Sequence, residues 1–154
     1  MKKFSIIMMC FATLAFASCS SSSLSTSNTT SSTAAKDSGK SSARALVTLY
    51  NSYKNTGTIN LGNPTDLTAA LNLATGYTNI RNNHSDPNYK KAFASGMVAA
   101  GAGLITTANV YTIIDKMNTL TGLNINASTI SNSVGTATAI IQLLQALGSA
   151  PLAQ

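Results

Sequence analysis

Residues 63–104 read NPTDLTAALNLATGYTNIRNNHSDPNYKKAFASGMVAAGAGL, and one punctuation signal, used twice in this stretch, decides the fold class. Asn63-Pro64-Thr65-Asp66 sets a capping side chain before a proline at the first helical position, with an acid near the positive end of the helix dipole. Ser85-Asp86-Pro87 repeats the signal. Leu67, Leu71, Ala74 and Tyr77 follow the first start at helical spacing, and Arg81 falls in the last turn, where a cation suits the dipole. Phe93, Met97, Ala100 and Leu104 follow the second. Strict apolar–polar alternation, the mark of a half-buried strand, is scarce.

Working outward, a helix is expected from Ser42 to Asn55, with Leu46, Leu49, Tyr50 and Tyr53 on one face and Gly57 as its stop. Thr58-Ile59-Asn60-Leu61 alternates and reads as a short extended segment too isolated for a sheet. The helix that starts at Pro87 either runs to about Thr121 or breaks near Gly101 and Gly103, since each interior glycine costs roughly 1 kcal/mol relative to alanine. Val110, Ile113, Ile114, Met117 and Leu120 form the inner face of the next segment, with Gly122 as terminator. A last helix is expected from near Ser128, with Ile130, Val134, Ala137, Ile141 and Leu144 as its seam. Ile140, Leu143 and Leu147 widen that seam, Gln142 and Gln145 lie toward the opposite face, and Gly148 and Pro151 end the helix. The expected fold is all-α, a small bundle of four to five helices spanning residues 43–154.

The amino terminus carries an address. Lys2 and Lys3 precede an apolar run from Phe4 to Ala17, about fourteen residues, shorter than the roughly 20 needed to span a bilayer. Ser18-Cys19 then forms a small-residue junction, so residues 1–18 read as a signal peptide. Phe16-Ala17-Ser18-Cys19 resembles the lipobox of bacterial lipoproteins; Phe16 stands where leucine is favoured, while the other three positions fit. The resemblance implies cleavage before Cys19, a diacylglyceryl group on its sulfur, acylation (palmitate) of the new amino group, and an outer-membrane address, since Ser20 rather than Asp follows. The alternative is an ordinary cleaved signal, for which Ala15-Phe16-Ala17 supplies a site. Cys10 is the only other cysteine and lies in the leader, so the mature chain has no partner for an internal disulfide and no thiolate metal cluster.

From Ser20 to about Ser42 the chain is mostly Ser and Thr, with Leu24 its only large apolar side chain. Residues 19–42 are therefore expected to be a disordered tether, unable to bury enough surface to offset its ordering entropy. The formal charge of +6 falls to +4 once Lys2 and Lys3 leave with the signal. That charge is dispersed along the chain, unlike the clustered stripe of a nucleic-acid binder, so no nucleic-acid partner is expected. Past Lys116 no charged side chain occurs, and a neutral last helix lacks repulsion against self-association.

Chemistry-bearing residues are few. The chain has no Glu, and its acids are Asp37, Asp66, Asp86 and Asp115. His84-Ser85-Asp86 holds three residue types found in nucleophilic sites, but a triad is defined by converging geometry, and Ser85 and Asp86 already serve as helix-start residues. A zinc site would need His84, Asp66, Asp86 and Asp115 to converge from separate segments. Neither an enzyme nor a cofactor or metal is expected. Among the tyrosines, Tyr50, Tyr53 and Tyr77 sit on apolar faces, whereas Tyr89 beside Lys90 and Lys91 is expected to be exposed and to form a candidate interaction surface. Residues 92–114 carry no charge and are long enough to span a membrane, but Ser95, Thr106, Thr107, Asn109, Tyr111 and Thr112 favour a buried bundle helix. The expected function is a lipid-anchored cell-envelope module acting through a protein partner, self-association or as an accessory subunit. The alternative is a carrier holding a small apolar ligand near Met97, Leu104, Ile113 and Ile141.

Overall fold

The computed structural model describes residues 27–120 and 133–148. They form five helices and, among the described residues, no strand: α1 (Ser27–Thr56), α2 (Pro64–Asn82), α3 (Pro87–Ala100), α4 (Val110–Thr119) and α5 (Ser133–Gly148). Helix α1 is the spine, with α2 and α3 packed along it; α4 joins α2, α3 and α5, and α5 also touches α1. The signal peptide, Cys19 and the expected last-helix start at Ser128 lie outside the described residues.

The largest departure from expectation is at the amino-terminal side. Helix α1 begins at Ser27, not Ser42, and its packed face begins at Ala35, so residues 35–42 belong to the folded unit rather than to a tether. Its inward stripe is Ala35, Gly39, Ser42, Leu46 and Leu49, a run of alternating steps of four and three. Only the last two are large apolar residues, which is why counting hydrophobic side chains starts the helix too late. The small residues matter because they let α3 approach. A Cβ at Gly39 would overlap the carbonyl of Phe93, and a Cβ at Gly96 would overlap that of Lys36. Gly76 of α2 faces the Ser42 hydroxyl with the same lack of room, and Phe93, fully buried, sits beside Gly76 at the junction of the three helices.

The predicted starts of α2 and α3 are observed. Asn63 accepts from Thr65 N at 2.9 Å, and Asp86 accepts from Asn88 N at 2.9 Å and Tyr89 N at 3.3 Å, each just ahead of a proline. The inward face of α2 is rotated from the one expected. Ala69, Ala70, Leu73, Ala74, Tyr77 and Ile80 are buried, while Leu67 and Leu71 are only half-buried. Alanines permit the close approach that leucines would prevent, and Asp66 is fastened beneath the α1–α2 connection.

Of the two readings of the helix that starts at Pro87, the break is the one observed, so residues 92–114 are not the single buried helix expected of them. Helix α3 stops at Ala100; Ala102 and Gly103 adopt positive φ of 49° and 80°, and α4 starts at Val110. Asn109 clamps the connection, accepting from Thr106 N at 2.8 Å and donating to the Leu104 carbonyl at 3.0 Å. Among the described residues no helix is long and apolar enough to cross a membrane. Val110, Ile113, Ile114 and Met117 of α4 are buried as their spacing predicts, and Gln142 and Gln145 of α5 are exposed. The inward face of α5 is rotated from the expected seam: Ile140, Leu143 and Leu147, expected only to widen it, are buried with Leu144, whereas Ala137 and Ile141 are half-buried. Residues 58–61 form no strand; Ile59 nonetheless tucks into the core.

Candidate functional site

The three residues proposed from sequence as an interaction surface take different roles in the fold, although Tyr89 and Lys91 line one cleft. Tyr89 is 9 % exposed, contrary to expectation: it sits on the α1-facing side of α3 and stacks on Phe93, with ring centroids 6.3 Å apart. Its hydroxyl is hydrogen-bonded to Ser38, whose own hydroxyl accepts from Asn79 Nδ2 at 3.0 Å. Burial pushes the phenol above its usual pKa, against the opposing effect of the Ser38 hydrogen bond. Tyr89 therefore ties α3 to α1 and, through Ser38, to α2. Lys90 donates to Asp115 at 2.7 Å and joins α3 to α4. Only Lys91 is exposed and outside the ion pairs found.

What the sequence did not indicate is the cleft beside this segment. About 580 Å³ in volume, it lies between the first turns of α1 and α3. Ser31, Ser32 and Lys36 line one wall, and Asp86, Asn88, Lys91 and Ser95 line the other. Tyr89 and Ala92 form its apolar part, and two lysines against the one carboxylate of Asp86 leave it weakly cationic, with hydroxyl and amide groups around the rim. The signal is unreadable without the fold, because its α1 wall lies within the expected tether.

Each of the chain's four carboxylates has a structural partner. Asp37 pairs with Lys40 at 3.2 Å and Asp115 with Lys90; Asp86 caps α3. Asp66, 2 % exposed, accepts from Ser52 Oγ at 2.9 Å and from Asn60 N at 3.1 Å, which fastens the α1–α2 connection. His84 is exposed in the α2–α3 turn, and no group of three or more His, Cys, Asp or Glu side chains converges among the described residues. Of the four residues expected around an apolar ligand, Met97 and Ile113 are fully buried in the packed core, and Leu104 and Ile141 are half-buried.

No protein-family model matches this sequence, and comparison with curated proteins and with solved structures gave no match.

Proposed function

We propose that this protein is a lipid-anchored helical module of a bacterial cell envelope, held by Cys19 and working through contact with a protein partner or as an accessory subunit rather than as an enzyme. The observation that carries the non-enzymatic reading is the employment of the carboxylates. Asp37, Asp66, Asp86 and Asp115 each already serve a helix start, an ion pair or a loop, and general acid–base chemistry needs a carboxyl or imidazole poised at a reacting group. The anchoring rests on the lipobox-like residues 16–19, and the outer-membrane address rests on Ser20.

The fold alters how such an anchor would work. With α1 starting at Ser27, only residues 20–26 lie between Cys19 and that helix. Their full reach is about 28 Å, against about 80 Å for a tether extending to Ser42. The module is then held close to its membrane and presents a fixed set of surfaces to whatever it meets there. Metabolic labelling with a palmitate analogue tests the anchor: the wild-type chain takes up label and fractionates with membranes, and Cys19→Ala does neither. Label retained by Cys19→Ala would overturn the assignment.

A further inference from the structure

The helices place one basic pole beside the proposed anchor. Ser31 and Ser32, near the start of α1, share a cleft with Asp86, Asn88 and Tyr89 at the start of α3. The Asn79–Ser38 hydrogen bond brings the last turns of α2 to the same side of α1. Tyr77 donates to the Leu120 carbonyl at 2.7 Å, and Lys90 of α3 pairs with Asp115 of α4, which adds the end of α4. This pole therefore gathers the starts of α1 and α3 with the ends of α2 and α4; Ser52, Asn60 and Asp66 mark the opposite one.

Charge at this pole is mixed with a positive balance: Lys36, Lys40, Arg81, Lys90 and Lys91 stand against Asp37, Asp86 and Asp115, five cations to three carboxylates. Asp86 is occupied by the α3 backbone, Asp115 by Lys90, and Asp37 by Lys40. Lys36, Arg81 and Lys91 are exposed and outside both ion pairs found among the described residues, although Arg81 also donates to the Tyr77 hydroxyl at 2.8 Å. Lys36 lies nine residues, about 14 Å along the helix, from the Ser27 end of α1 that leads back to Cys19, and it shares a cleft with Lys91. A short lead, about 28 Å at full stretch, keeps that end near the bilayer, and anionic headgroups attract basic residues within a Debye length, about 10 Å at 0.1 M salt.

Resting on the anchored reading above, we infer that the pole formed by Lys36, Arg81 and Lys91 docks on an anionic phospholipid surface, so that the lipid anchor and the basic patch act together and fix the module's orientation. The acyl chains hold the module, and the patch sets which end of the bundle faces outward. The end of α1 and the start of α2 would then point away from the bilayer.

The test uses the full lipidated protein, purified from membranes and reconstituted into vesicles. With Cys10 lost in the leader and Cys19 acylated, a cysteine introduced at Asn88 or Asn55 is the sole free thiol for a fluorophore. Quenching by a headgroup-nitroxide lipid should be several-fold greater for the Asn88→Cys probe than for the Asn55→Cys probe in vesicles of phosphatidylcholine with about one quarter phosphatidylglycerol. That preference should shrink in pure phosphatidylcholine, in about 1 M salt, and in the Lys36→Glu/Lys91→Glu variant, by roughly fivefold in docking equilibrium per cation removed. Flotation with the vesicles should persist throughout, because the acyl chains remain. Equal quenching at the two probes overturns the docking. So does a preference indifferent to lipid charge, which is the pattern expected if the patch serves an acidic protein instead. Failure of the wild-type protein to float would overturn the anchor itself and is read separately.

Discussion

Gly39 of α1 and Gly96 of α3 face one another's helices so closely that a Cβ on either would overlap a backbone carbonyl, that of Phe93 for Gly39 and that of Lys36 for Gly96. The obstruction is backbone, which cannot swing aside as a long side chain can. Gly39→Ala and Gly96→Ala should therefore each destabilise the fold by about 1–3 kcal/mol, even though alanine favours a helix by roughly 1 kcal/mol over glycine. Gly135 of α5 supplies the control, since among the described residues a Cβ there meets nothing within 4 Å. Gly135→Ala should be neutral or stabilising in the same urea titration. A gain in stability from alanine at Gly39 would show that the two helices stand further apart than described.

Asp66 is the carboxylate most deeply placed in the fold, and its two donors are Ser52 Oγ, near the end of α1, and Asn60 N, within the α1–α2 connection. Asp66→Ala leaves both unsatisfied and should cost about 1–3 kcal/mol, whereas Asp66→Asn keeps an acceptor and should cost less. Thermal melts would rank them. In the Asp66→Ala background, adding Ser52→Ala should do little further harm, because the interaction is already gone.

The Tyr89 phenol gives the fold an alkaline limit. Its folded pKa lies above the unfolded value of 10.0, because burial disfavours the phenolate. Below that value both states hold the proton and the stability does not vary with pH on this account. As pH rises through 10 the unfolded chain releases its proton first, so stability falls, and the contribution is lost as pH passes the folded pKa. Tyr89→Phe should flatten this alkaline decline in urea midpoints measured between about pH 8 and 11, while losing some stability at neutral pH through the Ser38 hydrogen bond. A decline of unchanged steepness in Tyr89→Phe would mean that another group is responsible.

How much of this is legible in sequence depends on which force sets each element. Helix starts at Pro64 and Pro87 are readable because capping is local: the residues that satisfy the free backbone donors are neighbours in the chain. The face of α4 is readable because large apolar residues recur at helical spacing, whereas α5 carries so many that its inward line, Ile140, Leu143, Leu144 and Leu147, is rotated from the expected one. The first half of α1 is not, because its inward residues Ala35, Gly39 and Ser42 look like those of a solvated linker and are selected for smallness. Their burial comes from how near α3 lies, and that is a property of two helices together. The same smallness hides the cationic cleft and leaves Tyr89 with no visible partner to bury it, since Ser38 falls in the serine-rich stretch that reads as tether.

Adjacent alanines in that stretch give the sharpest test of its packing. Ala35 is 0 % exposed on the inward stripe of α1, and Ala34 beside it is exposed. Glutamate is nearly as good a helix former as alanine, so substituting either position leaves helix propensity almost untouched and isolates burial. Ala34→Glu should leave the unfolding midpoint within about 0.5 kcal/mol of wild type. Ala35→Glu forces a carboxylate into a packed interface and should cost several kcal/mol, roughly 3 or more, or prevent folding altogether. Circular dichroism with urea titration separates the two. If both variants behaved like wild type, residues 35–42 would be a linker after all; a large loss confined to Ala35 requires that this serine-rich stretch is packed against a neighbour.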